Sequence, residues 1–168
     1  MARLLTGVSL HGIHKKFHLR QVLSEDFPSI GGVLPISGGW GYSLEDAIII
    51  DKDQAAGVGT RDFVSLEYLI AEKRTYEELI IFRQKGDAFA GIERQLKHQH
   101  LIESDGRFFD HLVFDITCFH DPDWNQLKSE METSGGNPDF DFEEHFKKRE
   151  ALAYYYEAEF YFDITSCR

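Results

Sequence analysis

Residues 154–166 carry an alternation in which apolar side chains take every second position and carboxylates stand between them. Successive side chains of a strand point to opposite faces, so this pattern predicts a strand with one buried and one solvated face. The apolar positions are Tyr156, Ala158, Phe160, Phe162 and Ile164, and the acidic positions are Glu157, Glu159 and Asp163. Shorter apolar runs predict strands at residues 47–51 and 78–83.

Helical spacing and end signals predict three helices. Asp62 precedes apolar positions three and four residues apart, which predicts a helix over residues 63–74. Asp121-Pro122 is typical of a helix start, because aspartate caps the first turn and proline fits into it. A third helix should begin after Asp139 or Asp141, with acidic residues in its first turn and basic residues later.

Two segments allow more than one interpretation. Asp105-Gly106, between strand-like sequences, is the strongest hairpin signal in the chain. Residues 88–102 on its N-terminal side also show helical spacing, so helix and strand both stay open there. Residues 28–41 contain five glycines and two prolines and predict a loop. Its glycines could admit a ligand beside Trp40, although turns and a buried tryptophan are the commoner arrangement.

The order of these elements predicts an α+β fold with a mainly antiparallel sheet and helices packed on one face. A chain of 168 residues fits one domain, so residues 1–168 are predicted to form a single domain. A domain of this size buries enough surface to fold without a disulfide or a metal ion.

The charge balance limits the classes of molecule that the protein is expected to bind. The chain has 18 basic and 29 acidic residues, a net charge of −11. Such a surface repels nucleic acid and anionic membranes and attracts a basic protein, although negative charge also simply keeps a small protein soluble. No apolar run is long enough to span a membrane, the N-terminus lacks a signal peptide, and two cysteines make no disulfide framework. A reducing, cytoplasmic setting is therefore expected.

Residues 121–168 hold twelve acidic and five basic residues, and aromatic side chains are interleaved with the carboxylates. Aromatic anchors beside steering charges are typical of a surface that docks a basic protein. In the alternative interpretation, the aromatic residues face the core and the carboxylates only wet the surface. The candidate contacts are Trp124, Phe140, Phe142 and Tyr155, with Asp139, Asp141, Glu157, Glu159 and Asp163 as the charges.

The leading hypothesis is a non-catalytic, cofactor-free acidic module, such as an inhibitor or immunity-type protein that neutralises a basic toxin. The alternative is a metal-dependent hydrolase. Across a hairpin closed by Asp105-Gly106, His100 faces His111 and His98 lies diagonally, so these histidines and Asp115 could bind zinc or another divalent transition metal. A structural subunit of a larger assembly is a third possibility, and the oligomeric state is open.

Overall fold

A computed structural model describes residues 1–31, 34–55 and 62–168 and confirms the α+β class. Its described strands are β1 (Arg3–Leu4), β2 (Ile36–Gly38), β3 (Ile48–Ile50), β4 (Phe89–Ser104), β5 (Arg107–His120) and β6 (Ala153–Asp163). They form one sheet in the order β2-β3-β6-β5-β4, with β1 beside β6. The sheet is mainly antiparallel, as predicted, and β6 has parallel pairings with β1 and β3.

The described helices are α1 (His11–His14), α2 (Leu19–Asp26), α3 (Pro28–Gly31), α4 (Lys52–Ala55), α5 (Phe63–Tyr76), α6 (Asp121–Thr133) and α7 (Phe142–Leu152). A π-helical turn (Glu77–Ile81) follows α5, and a 3₁₀ turn (Thr165–Cys167) follows β6. None of the helices in the described ranges is long and apolar enough to cross a bilayer.

The predicted helices α5, α6 and α7 are confirmed. Asp141 caps α7, because its Oδ1 accepts a hydrogen bond from the Glu144 backbone N–H at 2.9 Å. One detail at α6 is wrong. Asp121 is the first helical residue rather than the cap, and His120 holds the cap position without a side-chain hydrogen bond.

The strand predicted at residues 78–83 is wrong, because the chain continues α5 as the π-helical turn. The Phe82 backbone N–H donates to the Glu77 carbonyl five residues back, at 3.0 Å. The Arg83 side chain then donates to the Glu78 carbonyl at 2.8 Å. The apolar run Leu79–Ile81 therefore satisfies its backbone within a helix, where short-range pattern alone had favoured a strand.

The hairpin is confirmed, and residues 89–104 are strand. Asp105 and Gly106 both have positive φ, 52° and 73°, as a two-residue hairpin turn requires. Aspartate and glycine tolerate that conformation better than most residues. Pairing with β5 along the hairpin thus outweighs the helical spacing of 88–102.

The loop predicted for residues 28–41 is wrong in part, because α3 and β2 lie within that range. Residues 32–33 of the predicted loop lie outside the described ranges. The interpretation of its last glycines as turn residues is confirmed. The backbone N–H groups of Trp40 and Tyr42 donate to the Asp46 carboxylate at 3.1 and 3.3 Å. A Cβ at Gly39 would lie 2.1 Å from that carboxylate, so glycine permits this turn. Trp40 is buried, with 1% of its surface exposed.

The described chain divides into two compact units. The first unit comprises residues 1–8, 77–95 and 115–157, and the second unit comprises 9–76, 96–114 and 158–168. The prediction of a single domain over residues 1–168 stays a prediction. In the first unit, Phe119, Leu127 and Ala153 form an apolar cluster against which Trp124 packs.

The second unit builds its core around an unusual buried cation. The Arg74 guanidinium lies 3.6 Å from the Phe160 ring centroid and 4.5 Å from that of Tyr42. It donates to the backbone carbonyls of Trp40 at 2.8 Å and Glu159 at 2.6 Å. These bonds connect α5 to the turn at Gly39-Trp40 and to β6.

Candidate functional site

The start of α7 exposes aromatic side chains. Phe142 and Phe146 lie four residues apart, on the same face of the helix, and are 51% and 52% exposed. Phe140 precedes them, with its ring centroid 4.9 Å from that of Phe142 in an edge-to-face contact. Helical surfaces normally carry polar side chains, so this face is an apolar exception on an acidic chain.

Carboxylates border these rings. Asp139, Asp141 and Glu144 surround the start of α7, and none of them forms an ion pair with a lysine, arginine or histidine among the described residues. Asp141 is oriented by its capping bond to the helix, and the Asp139 backbone N–H is held at 3.0 Å by the Asn137 side chain. We define the α7 surface by the following residues: Asp139, Phe140, Asp141, Phe142, Glu144 and Phe146.

A groove of about 370 Å³ opens beside this surface. Asp139, Phe140, Asp141 and Glu144 line one part of it, and Glu130 and Lys148 line another. Lys148 forms an ion pair with Glu130, and this hydrogen bond lowers the pKa of Glu130. The cation at this end of the groove is therefore already engaged, and the remaining carboxylates leave the groove negative.

Part of the acidic charge is neutralised within the chain. Glu143 pairs with Lys147 at 2.6 Å across one helical turn, and Glu93 pairs with Arg149 at 2.6 Å. Exposed pairs of this kind contribute little stability, but they remove charge that could attract a partner. At the beginning of α7, Asp139, Asp141 and Glu144 thus keep charge that is available to a partner, as does Glu150 near its end.

The structure separates the predicted contact residues. Phe140, Phe142, Asp139 and Asp141 lie together on the α7 surface. Trp124 does not join them: its ring stacks on Phe119 at 5.1 Å and lies so close to Gly91 that a Cβ there would come within 2.6 Å. Trp124 thus packs within the first unit, and its role in binding stays a prediction.

The predicted contacts on β6 fall outside the α7 surface. Tyr155 and Glu157 are exposed on β6, where the Tyr155 carbonyl accepts a hydrogen bond from the Leu5 backbone N–H at 2.8 Å. Glu159 contacts His111 and Tyr161 at 2.9 and 3.0 Å. We leave these residues out of the docking surface, and their role in binding stays a prediction.

Asp163 is buried and already has partners. Burial opposes its ionisation, but hydrogen bonds from Thr165 and an ion pair with Arg107 hold the pKa of Asp163 below its usual value. The Asp163 carboxylate thus holds Arg107 and Thr165 at the end of β6, and its negative charge is balanced by the Arg107 guanidinium. We therefore also exclude Asp163 from the docking surface.

The predicted histidines do come near one another on the hairpin. The ring centroids of His98 and His100 are 5.7 Å apart, and those of His100 and His111 are 6.2 Å apart. The His111 ring stacks on Tyr161 at 4.2 Å, and its Nε2 lies 2.9 Å from Glu159. Asp115 is exposed and belongs to the first unit.

As placed, these rings do not form a coordination site. Across the described ranges, no group of three or more histidine, cysteine or carboxylate side chains is positioned to hold a metal ion. The zinc hypothesis therefore stays a prediction without a formed site behind it. Cys118 offers no nucleophile either, because burial raises the pKa of its thiol to about 12.

Sequence reasoning missed two residues. Phe146 was overlooked, although its spacing of four residues from Phe142 within a predicted helix was a usable signal. Glu67 was overlooked too: burial, reinforced by the nearby Asp110 carboxylate, raises the pKa of Glu67 to about 9.

Comparisons with family models, with curated proteins and with solved structures each found no match. The fold and the α7 surface thus describe an α+β protein with a candidate protein-binding face.

Proposed function

We propose that this protein acts without catalysis, by docking a basic protein onto the α7 surface. One observation carries the proposal: Phe142 and Phe146 project from one helix face beside carboxylates that have no cationic partner in the described part of the chain. Aromatic side chains are the usual anchors of protein interfaces, and surrounding charges steer the approach of a partner.

The energetics favour covering this face. Burying the exposed halves of two phenylalanine side chains contributes about 2 to 3 kcal/mol from the hydrophobic effect alone. The groove beside Phe140 gives a partner side chain a place to enter, and its carboxylates suit lysine or arginine. The net charge of −11 adds long-range attraction toward a basic molecule.

The most specific form of the proposal is an inhibitor or immunity-type protein that covers the active site of a basic toxin. Size and acidity support this form, together with a docking face that is small and partly preformed. The proposal includes a reducing, cytoplasmic setting, which is supported by the free thiols of Cys118 and Cys167.

The test uses a synthetic amphipathic helical peptide of leucine and lysine, with a leucine–glutamate peptide of the same pattern as its counterpart. Calorimetric titration should show binding of the lysine peptide only, weakening by at least about tenfold between 50 and 300 mM salt. The variant Phe142→Ser/Phe146→Ser should lose most of this binding. Phe17→Ser, which removes a 45% exposed phenylalanine in the second unit, is the matched control and should bind as the parent does.

Two outcomes would overturn the proposal. Equal binding by the parent and the double variant would show that α7 is not the docking face. Binding that does not change with salt, or that extends to the glutamate peptide, would remove the electrostatic part of the mechanism.

A further inference from the structure

A second candidate binding site lies in the second unit, between α2 and β2. A groove of about 590 Å³ opens there, which is within the range that accommodates ligands and short peptides. Its helix side is lined by His18, Arg20, Gln21 and Ser24. Its strand side is formed by residues 36–39.

The strand side carries peptide groups that do not pair with β3. The Gly39 N–H donates to the Ala47 carbonyl and the Asp51 N–H donates to the Pro35 carbonyl, both at 2.9 Å. Ser37 is opposite Ile49, so residues 35, 37 and 39 direct their peptide groups to β3. Because these directions alternate along a strand, the N–H and C=O groups of residues 36 and 38 point away from β3.

β2 is the terminal strand of the sheet in the described chain, so these outward groups lie on an open edge. Terminal strands normally avoid added strands through charge, proline or cover. The edge of β2 instead ends in Gly38 and Gly39, which have no side chain to obstruct an incoming backbone. Ile36 is only 3% exposed, whereas Ser37 and Gly38 are exposed, so among the described residues of β2 it is Gly38 whose outward groups are accessible to another strand.

The ionisable side chains that line this groove are basic. Arg20 is exposed and forms no ion pair with the described residues, and His18 stands at the start of α2. A local positive charge on a chain of net charge −11 favours an acidic ligand at this place. The charge preference is the reverse of that of the α7 surface.

We propose that this groove binds an extended acidic peptide segment of a partner protein, which adds to β2 as a further strand. The peptide backbone pairs with the outward N–H and C=O groups of Gly38, and an aspartate or glutamate side chain pairs with Arg20. Main-chain hydrogen bonds supply affinity in such strand addition, and side-chain pockets supply specificity. About four to six residues of peptide match the strand and the adjoining groove at roughly 3.3 Å per residue.

The test begins with selection of seven-residue peptides from a random displayed library on the immobilised full chain. The enriched peptides should combine β-branched residues with at least one aspartate or glutamate, and their amidated synthetic forms should bind. In NMR titrations, the backbone amide of Gly38 should shift and become protected from hydrogen exchange. N-methylation of the peptide backbone at alternate residues should abolish binding.

Charge variants complete the design. Arg20→Glu should weaken the selected peptides by at least about tenfold, whereas Lys16→Glu, an exposed basic residue outside the groove, should change affinity less than about twofold. The variant Phe142→Ser/Phe146→Ser should bind these peptides normally, so this test and the test of the α7 surface fail independently.

Several results would overturn the inference. They are the absence of enriched peptides, enrichment without acidic residues, and binding that requires a free peptide C-terminus. Equal binding by Arg20→Glu, or an unchanged Gly38 amide, would also place the peptides elsewhere.

Discussion

Helices α5 and α7 both depart from the usual arrangement of apolar residues inside and polar residues outside, but in opposite directions. α5 buries the ionisable residues Glu67 and Arg74. α7 exposes the aromatic residues Phe142 and Phe146. Either departure costs free energy unless something compensates for it, so the location of the compensation shows what each helix does.

In α5 the compensation lies within the chain. Arg74 has two backbone carbonyl acceptors and an aromatic ring beneath its guanidinium. Glu67 avoids a buried charge by staying protonated at neutral pH, since its pKa is about 9. For Phe142 and Phe146, the described residues leave about half of each side chain exposed. We infer that α5 departs from the pattern for stability and α7 departs from it for association.

The largest predicted effect is that of removing the Arg74 charge. Arg74→Met should lower the free energy of unfolding by about 3 to 5 kcal/mol, because it leaves two carbonyls without their charged donor. Chemical denaturation measures this directly. Lys73→Met is the matched control on the same helix. Its partly exposed ammonium contacts Glu72 and two rings, so its loss should cost about 1 kcal/mol or less.

A loss of less than about 1 kcal/mol in Arg74→Met would break the comparison. It would mean that the carbonyls of Trp40 and Glu159 find other donors, and that the buried arginine is retained for some purpose other than stability. A function for the α5 core would then have to be sought.

The next effect concerns pH. The pKa of Glu67 is raised from 4.5 to about 9 on folding, so the folded chain holds a proton that the unfolded chain releases. The stabilisation is complete below about pH 4.5 and declines as pH rises towards 9, by about 1.4 kcal/mol per pH unit. Between pH 5.5 and 7.5 the parent should therefore lose about 2 to 3 kcal/mol relative to Glu67→Gln, which has no such proton.

Denaturation curves of the parent and Glu67→Gln at a series of pH values check this prediction. Subtracting one curve from the other cancels the titration of the other carboxylates. Parallel curves would show that Glu67 titrates normally and that its environment is wetter than its burial indicates. Gln99→Leu is a useful second variant, because the Gln99 amide donates to Asp110 at 3.3 Å and tests the neighbouring carboxylate.

For the exposed aromatic residues the expected change in stability is small. Phe142→Ser and Phe146→Ser should each alter the free energy of unfolding by no more than about 0.5 kcal/mol, because they vacate no core position. Phe160→Ser in the buried core should cost more than about 3 kcal/mol by the same measurement. If Phe142→Ser were as damaging as Phe160→Ser, the α7 rings would be structural, and the difference between the two helices would disappear.

The sequence contains most of the fold, because alternation, caps and turn residues act locally. A few neighbouring residues are enough to predict three of these features: the alternation in β6, the Asp141 cap and the Asp105-Gly106 turn. The π-helical turn after α5 could not be found in this way. Residues 78–83 contain an apolar run of strand length. They are helical because they continue α5 and because residues Glu77–Leu79 are buried in that conformation.

The candidate site was only partly predictable for the same reason. Phe140 and Phe142 could be proposed from their interleaving with aspartates, but so could Trp124, which the fold packs against Phe119 and Gly91. Exposure is decided by tertiary packing, and composition does not contain it. The ion pairs of Glu130 and Asp163 are similarly invisible, since their partners are 18 and 56 residues away in the chain.

The smallest effect separates stability from association within α7 itself. Lys147 pairs with Glu143 across one turn, and both side chains are largely exposed. Lys147→Gln should therefore cost only about 0.3 to 0.5 kcal/mol in the free energy of unfolding.

The same change releases the Glu143 carboxylate beside the α7 surface and makes the chain more negative. Stopped-flow association with the leucine–lysine peptide should consequently accelerate by about twofold at low salt and return to the parent rate at high salt. Lys52→Gln on α4 makes the same change in net charge in the second unit, and its smaller acceleration measures the non-local contribution. Equal acceleration by both variants would mean that net charge alone attracts the peptide, and the carboxylates around Phe142 would have no special part in its capture.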